Sequence, residues 1–350
     1  MNVLFQLHHP AHYHLFKYSI RELSRIGHNV RIVIKEKDVL ENLLRQDLLD
    51  YEKIGDDEAA SRRGFAGGLL KRLGELLDLL KRWEIDLLVG STADIAILGR
   101  YCKIPSYVFF EDDFREVPAY AFLVGPLASK LVCPVSCDAW YWNGKADKYS
   151  GYHEIAYLHP KWFIPDNSKI LRLYNGKSRY VLLRFSSLQA YHDKGKHGID
   201  DTLATQIITI CEQDAAVWIV SERPLPASLE KYRFPLSPSV MHHALAFAHL
   251  YAGDSQTMAA EAAVLGTHSI RYNDFVGKLG YLEELEHRYG LTVGVRVGES
   301  EKLLSIVKDK LNSGDVDRER MELLYNETVD VTEYIVNMID GYSDELSVKG

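Results

Sequence analysis

Apolar positions along the chain fall into two rhythms that alternate from one end to the other. Residues 3–7 and 30–34 are short, nearly unbroken apolar runs, which read as strands covered on both faces. Between them Leu15, Phe16, Ile20, Leu23 and Ile26 recur at helical spacing, and Gly27 stands where a helix would end. Strand, helix and strand within about 30 residues make a βαβ unit with a right-handed crossover. The alternation continues with a helix over 69–83, a strand over 86–90, a helix from 91 to 100, and strands over 105–110 and 130–134. Residues 59–68, which hold Gly64, Gly67 and Gly68, read as a mobile loop.

Pro160 and Pro165 bracket Trp162 and Phe163 and mark a stiff connector. After it the pattern restarts, with strands over 180–184, 216–220, 249–252 and 268–271 and helices over 202–213, 240–248 and 257–265. Each half therefore predicts a doubly wound parallel sheet of α/β class. The expected domains are 1–160 and 167–330, two Rossmann-like halves facing a cleft suited to a ligand. Apolar residues between Met321 and Tyr342 (Leu323, Leu324, Val331, Tyr334, Ile335, Met338, Ile339) keep helical spacing. Residues 331–350 are expected to form a terminal helix crossing back to the first half.

Composition narrows the function classes. A net charge of −8 weighs against general nucleic-acid binding. Four scattered cysteines provide no disulfide framework, and Cys133 and Cys137 lack a second pair to complete a zinc site. No apolar run reaches the ~18–20 residues of a membrane span. The expectation is a cytoplasmic protein without a metal, compatible with peripheral contact at a membrane.

The richest stretch for chemistry is residues 253–267, where a strand runs through a small polar turn into an alanine-rich helix. The helix start offers unpaired N–H groups and partial positive charge beside the hydroxyls of Ser255 and Thr257, a setting for phosphate. Glu261 falls one turn further along the same face as Thr257, placed to accept hydrogen bonds from a ribose diol. The plainer alternative is a capping residue followed by a solvated glutamate.

This segment resembles the donor-site helix of GT-B proteins, in particular the non-hydrolysing UDP-N-acetylglucosamine 2-epimerases. There a serine-containing turn holds the diphosphate and a glutamate the ribose, which match Ser255 and Glu261. Gln256 and Thr257 stand where the epimerases carry two glycines. A resemblance over nearly the whole chain, to an uncharacterised prokaryotic family of glycosyltransferase-like proteins, rests on four blocks. They are residues 10–16, residues 151–158, Leu183-Arg184-Phe185 with Ala190-Tyr191-His192-Asp193, and the helix from Thr257 to Gly266. The resemblance implies the GT-B architecture, a nucleotide-sugar substrate (UDP-linked) and no separate cofactor.

Three further groups belong to the expected rim of strand carboxyl ends. His8, His9, His12 and His14 crowd the turn after the first strand, and His12 is the candidate acid/base or acceptor-binding group. Ordinary surface histidines are the alternative. Glu111, Asp112 and Asp113 follow another strand, with Asp112 a candidate base toward an acceptor hydroxyl or part of a solvated acidic turn. Arg184 ends the first strand of the second half, where its fork suits phosphate oxygens, and His192 lies in the polar loop beyond it. Nucleotide binding is thus assigned to Arg184, Ser255, Gln256, Thr257 and Glu261, and acid/base roles to His12, Asp112 and His192. The expected activity is transfer of a sugar to a glycan or lipid-linked acceptor in polysaccharide or glycoconjugate synthesis. A 2-epimerase-like isomerase and a non-catalytic nucleotide-sugar-binding protein are the alternatives.

Overall fold

A computed structural model describes residues 1–35, 38–55, 57–186 and 198–349, with side chains at 38, 57–66 and 345–349 also set aside. The chain divides into two compact units, one of residues 1–157 with 329–350 and the other of residues 158–328. The first unit contains strands β1 (Asn2–Leu7), β2 (Asn29–Lys35), β3 (Glu52–Ile54), β4 (Leu87–Gly90), β5 (Ser106–Phe109), β6 (Lys130–Pro134) and β7 (Ala146–Tyr149). They form one parallel sheet in the order β3-β2-β1-β4-β5-β6-β7. The strand order reverses between β1 and β4. Val3, Leu4, Phe5 and Leu7 are fully buried, as an unalternating central strand requires.

The second unit contains β8 (Tyr180–Phe185), β9 (Ala216–Ser221), β10 (Leu250–Gly253), β11 (His268–Tyr272) and β12 (Thr292–Val295). They pair in parallel in the order β12-β11-β10-β8-β9, so the reversal here falls between β10 and β8. One face of this sheet buries Val181, Leu183 and Ile219 with the helix Asp201–Cys211. The other buries Tyr180, Leu182 and Tyr251 under the helices Met241–Ala246 and Gln256–Val264.

One local expectation is corrected. Residues 59–68 lie inside a helix, Asp57–Trp83, and not in a loop. Each glycine costs a helix roughly 1 kcal/mol, and the stripe Leu76, Leu79 and Leu80 buried further along anchors the element against that loss. The apolar pattern from Met321 onward is two helices, Arg318–Glu327 and Val331–Lys349. Thr328 turns extended between them, and Asp330 accepts a hydrogen bond from the Glu333 amide as the chain starts again. The chain passes from the second unit to the first at this break. The last helix buries Val331, Ile335 and Ile339 and packs on the helix Pro10–Arg25.

Strand contact at the first reversal depends on a missing side chain. A Cβ on Gly90 would stand 2.7 Å from the backbone oxygen of Gln6 on β1. Gly90→Ala should therefore cost about 1–3 kcal/mol through forced separation of β1 and β4. Gly74→Ala, in a helix with open space around it, should add up to about 1 kcal/mol. Urea midpoints of the two variants, moving in opposite directions, check the reading.

Candidate functional site

Parallel pairing aligns Arg184 at the end of β8 with Gly253 at the end of β10. The fit is close: a Cβ on Gly253 would stand 2.7 Å from the Arg184 Cβ. Arg184 pairs with Glu222, just past β9, and its Nε is buried with no partner among the described residues. Asp254 accepts a hydrogen bond from the Ser186 amide at 2.7 Å, which ties the ends of β8 and β10 together. Burial pushes the Asp254 carboxyl up to about 6, against the pull of Ser186 and Arg184. Asn273 donates its side-chain amide to the Asp254 carbonyl and so holds the turn to the end of β11.

Ser255 caps the helix Gln256–Val264, its Oγ accepting from the Met258 amide at 3.4 Å. Gln256 and Thr257 are half-buried in the first turn. Glu261 is buried and not solvated, because the small residues around it let the helix sit close on the sheet. Its Oε1 lies 3.0 Å from the Nε2 of His242 on the neighbouring helix. Arg184, Ser255, Gln256, Thr257 and Glu261 therefore belong to one region of the second unit, at its strand reversal and the helix leaving it. Sequence reading missed His242; the paired His242 and His243 opening a helix after Pro238 were its only signal.

At the reversal of the first unit a second polar network forms. Thr92 donates to the Gln6 Oε1 at 2.6 Å, and the Gln6 amide reaches Asp94 at 3.3 Å and the His8 Nε2 at 2.9 Å. Arg72 clamps Asp94 with two bonds, at 2.9 and 3.3 Å. An amide nitrogen can only donate, so His8 accepts at Nε2 and carries its proton on Nδ1. Burial lowers His8 to about 4, Asp94 opposing and Arg72 assisting, and the ring is neutral at pH 7. Asp94 Oδ2 stands 3.7 Å from that same Nε2.

A third group lies past β5. Glu111 accepts from the His153 amide at 2.8 Å, and Glu154 hydrogen-bonds to its carboxyl. Burial, with Asp112 adding repulsion, raises Glu111 to about 8. His153 is pushed down to about 3 by burial, and its Nε2 is buried without a partner among the described residues. At pH 7 Glu111 holds a proton and His153 does not.

The predicted acid/base residues are distributed differently. His12 uses its Nδ1 to accept from the His8 backbone amide at 3.3 Å, so it shapes the turn that carries His8. Asp112 is exposed beside the half-buried Glu111. His192, with Tyr191 and Asp193, lies outside the described residues. Asp94 and Arg72 gave no sequence signal, since one sits in a helix of the strand reversal and the other in a distant helix.

No protein-family model matches the chain, and no curated protein matches it. Solved structures do. The UDP-GlcNAc 2-epimerase of Methanocaldococcus jannaschii, in complex with UDP-GlcNAc and UDP, superposes with a TM-score of 0.68 at 17% identity, over 97% of this chain and 99% of that one. The UDP-GlcNAc 2-epimerase of Neisseria meningitidis bound to UDP-GlcNAc gives 0.67 at 14% identity, over 100% of both chains. The spinosyn rhamnosyltransferase SpnG, complexed with spinosyn aglycone, gives 0.62 at 14% identity, over 97% and 100%. These likenesses establish the fold, GT-B.

The two shifted groups predict opposite pH limbs. Glu111 ionises near 4.5 when unfolded and near 8 when folded, so its contribution is full below 4.5 and lost as pH rises through 8. His8 runs from 6.5 down to about 4, so its contribution is present above 6.5 and lost as pH falls through 4. Chemical denaturation across this range should show Glu111→Gln flattening the alkaline limb and His8→Gln the acid limb. A shared limb, or no change, would contradict the assignment.

Proposed function

We propose that the protein transfers a sugar from a UDP-linked donor to a glycan or lipid-linked acceptor. The carrying observation is the register of Arg184 with Gly253, which sets Arg184 beside the turn that opens the helix Gln256–Val264, its guanidinium held by Glu222. Backbone amides, helix dipole and Arg184 together suit a diphosphate whose charge grows as the sugar departs. Exchange of Glu222 for phosphate oxygens would free the Arg184 fork, and Glu261, braced by His242, would accept from the ribose diol.

Transfer also requires a base for the acceptor hydroxyl. His8 fits the role: it is neutral at pH 7, and a proton arriving at Nε2 lies beside the Asp94 carboxylate. Gln6 would yield its bond to His8 as the acceptor enters. The solved structures of like fold include a rhamnosyltransferase, which supports transfer.

A second reading, epimerisation by loss and return of the nucleotide, is favoured by a different observation. Glu111 and Glu154 share a hydrogen bond, with Glu111 protonated near neutrality. Such a pair offers one proton donor and one acceptor, which an elimination and re-addition need. The like-fold epimerases add weight to it.

One set of variants separates the readings. Glu261→Ala should weaken UDP binding by about 1.5–3 kcal/mol, roughly ten- to a hundredfold, by calorimetric titration. Ser255→Ala should cost less, because backbone amides remain at the helix start. His8→Gln should keep UDP affinity and lower glycan-stimulated UDP release by about a hundredfold or more. If Glu111→Gln, and not His8→Gln, abolishes turnover, and the product is an epimerised sugar nucleotide, the isomerase reading replaces transfer. Unchanged UDP affinity in Glu261→Ala would remove the nucleotide assignment.

A further inference from the structure

The first unit exposes an aromatic plate beyond the turn that carries Glu111. Phe122, on the helix Pro118–Val124, is 54% exposed, and Tyr141 is 70% exposed on the single helical turn Trp140–Trp142. Trp140 and Tyr141 stack with centroids 4.4 Å apart and planes 26° from parallel. Phe122 meets Trp140 and Trp142 edge-on, each at 5.4 Å. Behind the plate Trp142 packs on buried Phe114, and a Cβ on Gly125 would stand 2.3 Å from its ring.

The plate is held at a backbone cost. Trp140 has φ +53°, a conformation that a bulky residue adopts only where its surroundings enforce it. Asp138 does the enforcing, accepting from the Trp140 amide at 2.8 Å and the Asn143 amide at 2.7 Å while pairing with Arg115. Asp138 is itself bonded to Asp113 and Phe114, so the plate is fixed to the same rim as Glu111.

Charge selects among occupants for such a surface. An anionic bilayer would call for a cluster of free lysines and arginines. Here Arg115 is committed to Asp138 and lies over the Trp140 ring at 5.6 Å, and Lys145 is folded onto the Gly125 carbonyl. A neutral sugar chain suits the same surface. Pyranose C–H faces carry slight positive charge and meet the negative faces of the exposed rings.

We propose that Phe122 and Tyr141, the latter backed by Trp140, form a stacking subsite for a neutral saccharide chain. In the transfer reading, on which this clause rests, the chain is the acceptor glycan beyond its reacting end. The rigid aromatic rings lose little freedom on binding, so weak contacts to successive sugars add.

The test uses the full chain without nucleotide, titrated with chitohexaose and with maltohexaose and read by tryptophan fluorescence, since Trp140 stacks on Tyr141 and Trp142 lies behind the plate. At least one saccharide should give a saturable change, weakened about tenfold or more in the double variant Phe122→Ala/Tyr141→Ala. Tyr101→Ala, also exposed, should bind like the parent. Calorimetry with UDP should show the double variant unchanged, which separates this subsite from the nucleotide assignment. The proposal is overturned if neither saccharide produces a signal, or if the double variant binds both like the parent. It is also overturned if the plate is instead required for binding phosphatidylcholine or phosphatidylglycerol vesicles, or for dimerisation in sedimentation.

Discussion

Every strand pairing in both sheets is parallel, and that constraint organises the rest of the molecule. Each strand must return through a crossover, so all carboxyl ends within a sheet share one edge. Where the strand order reverses, the crossovers leave in opposite directions and neighbouring strand ends are left open. Gly90 and Gly253 occupy the last strand position at the two reversals, and each leaves room for the neighbouring strand. At the first the beneficiary is the Gln6 backbone; at the second it is Arg184.

The polar groups at these edges are buried or half-buried, and loss of solvent decides their charge. A buried carboxylate is tolerated where a cation is attached, as Arg72 is to Asp94. Where burial outweighs the neighbouring charges the group takes or sheds a proton instead, which is why Glu111 is protonated and His153 is neutral near pH 7. His8 is the intermediate case. Burial outweighs Asp94, so the imidazole is neutral, yet the carboxylate remains close enough to welcome a proton. Groups with opposed tendencies, placed within one rim, are the usual material of proton transfer.

A cavity of about 180 Å³ lies elsewhere, beside the first residues of β11 and β12, lined by His268, Lys310 and Arg320. It is at the amino ends of these strands, and the residues assigned to nucleotide are at the carboxyl ends. Chemical placement therefore identifies the site. The aromatic plate adds a reason to look along the rim of the first unit, because the strained Trp140 and its Asp138 brace hold rings at the surface.

The α/β class was legible in the chain alone, because unalternating apolar runs suit strands covered on both faces and the intervening helical spacing supplies the covers. The sequence also located the polar turn at residues 254–257, since a strand, a capping residue and a helix are written consecutively. It misread residues 59–68, where local glycine content pointed to a loop and burial of Leu76, Leu79 and Leu80 further along carried the helix through. Among the histidines after β1 it favoured His12, and only coordinates show His12 supporting the His8 backbone. Tertiary structure alone decided the partners: Arg72 with Asp94, His242 with Glu261, Glu111 with Glu154 and His153. The physical reason is that charge state and hydrogen bonding depend on burial and on neighbours distant in the chain. Local spacing fixes which face of an element a residue occupies, and strand order fixes what that face meets.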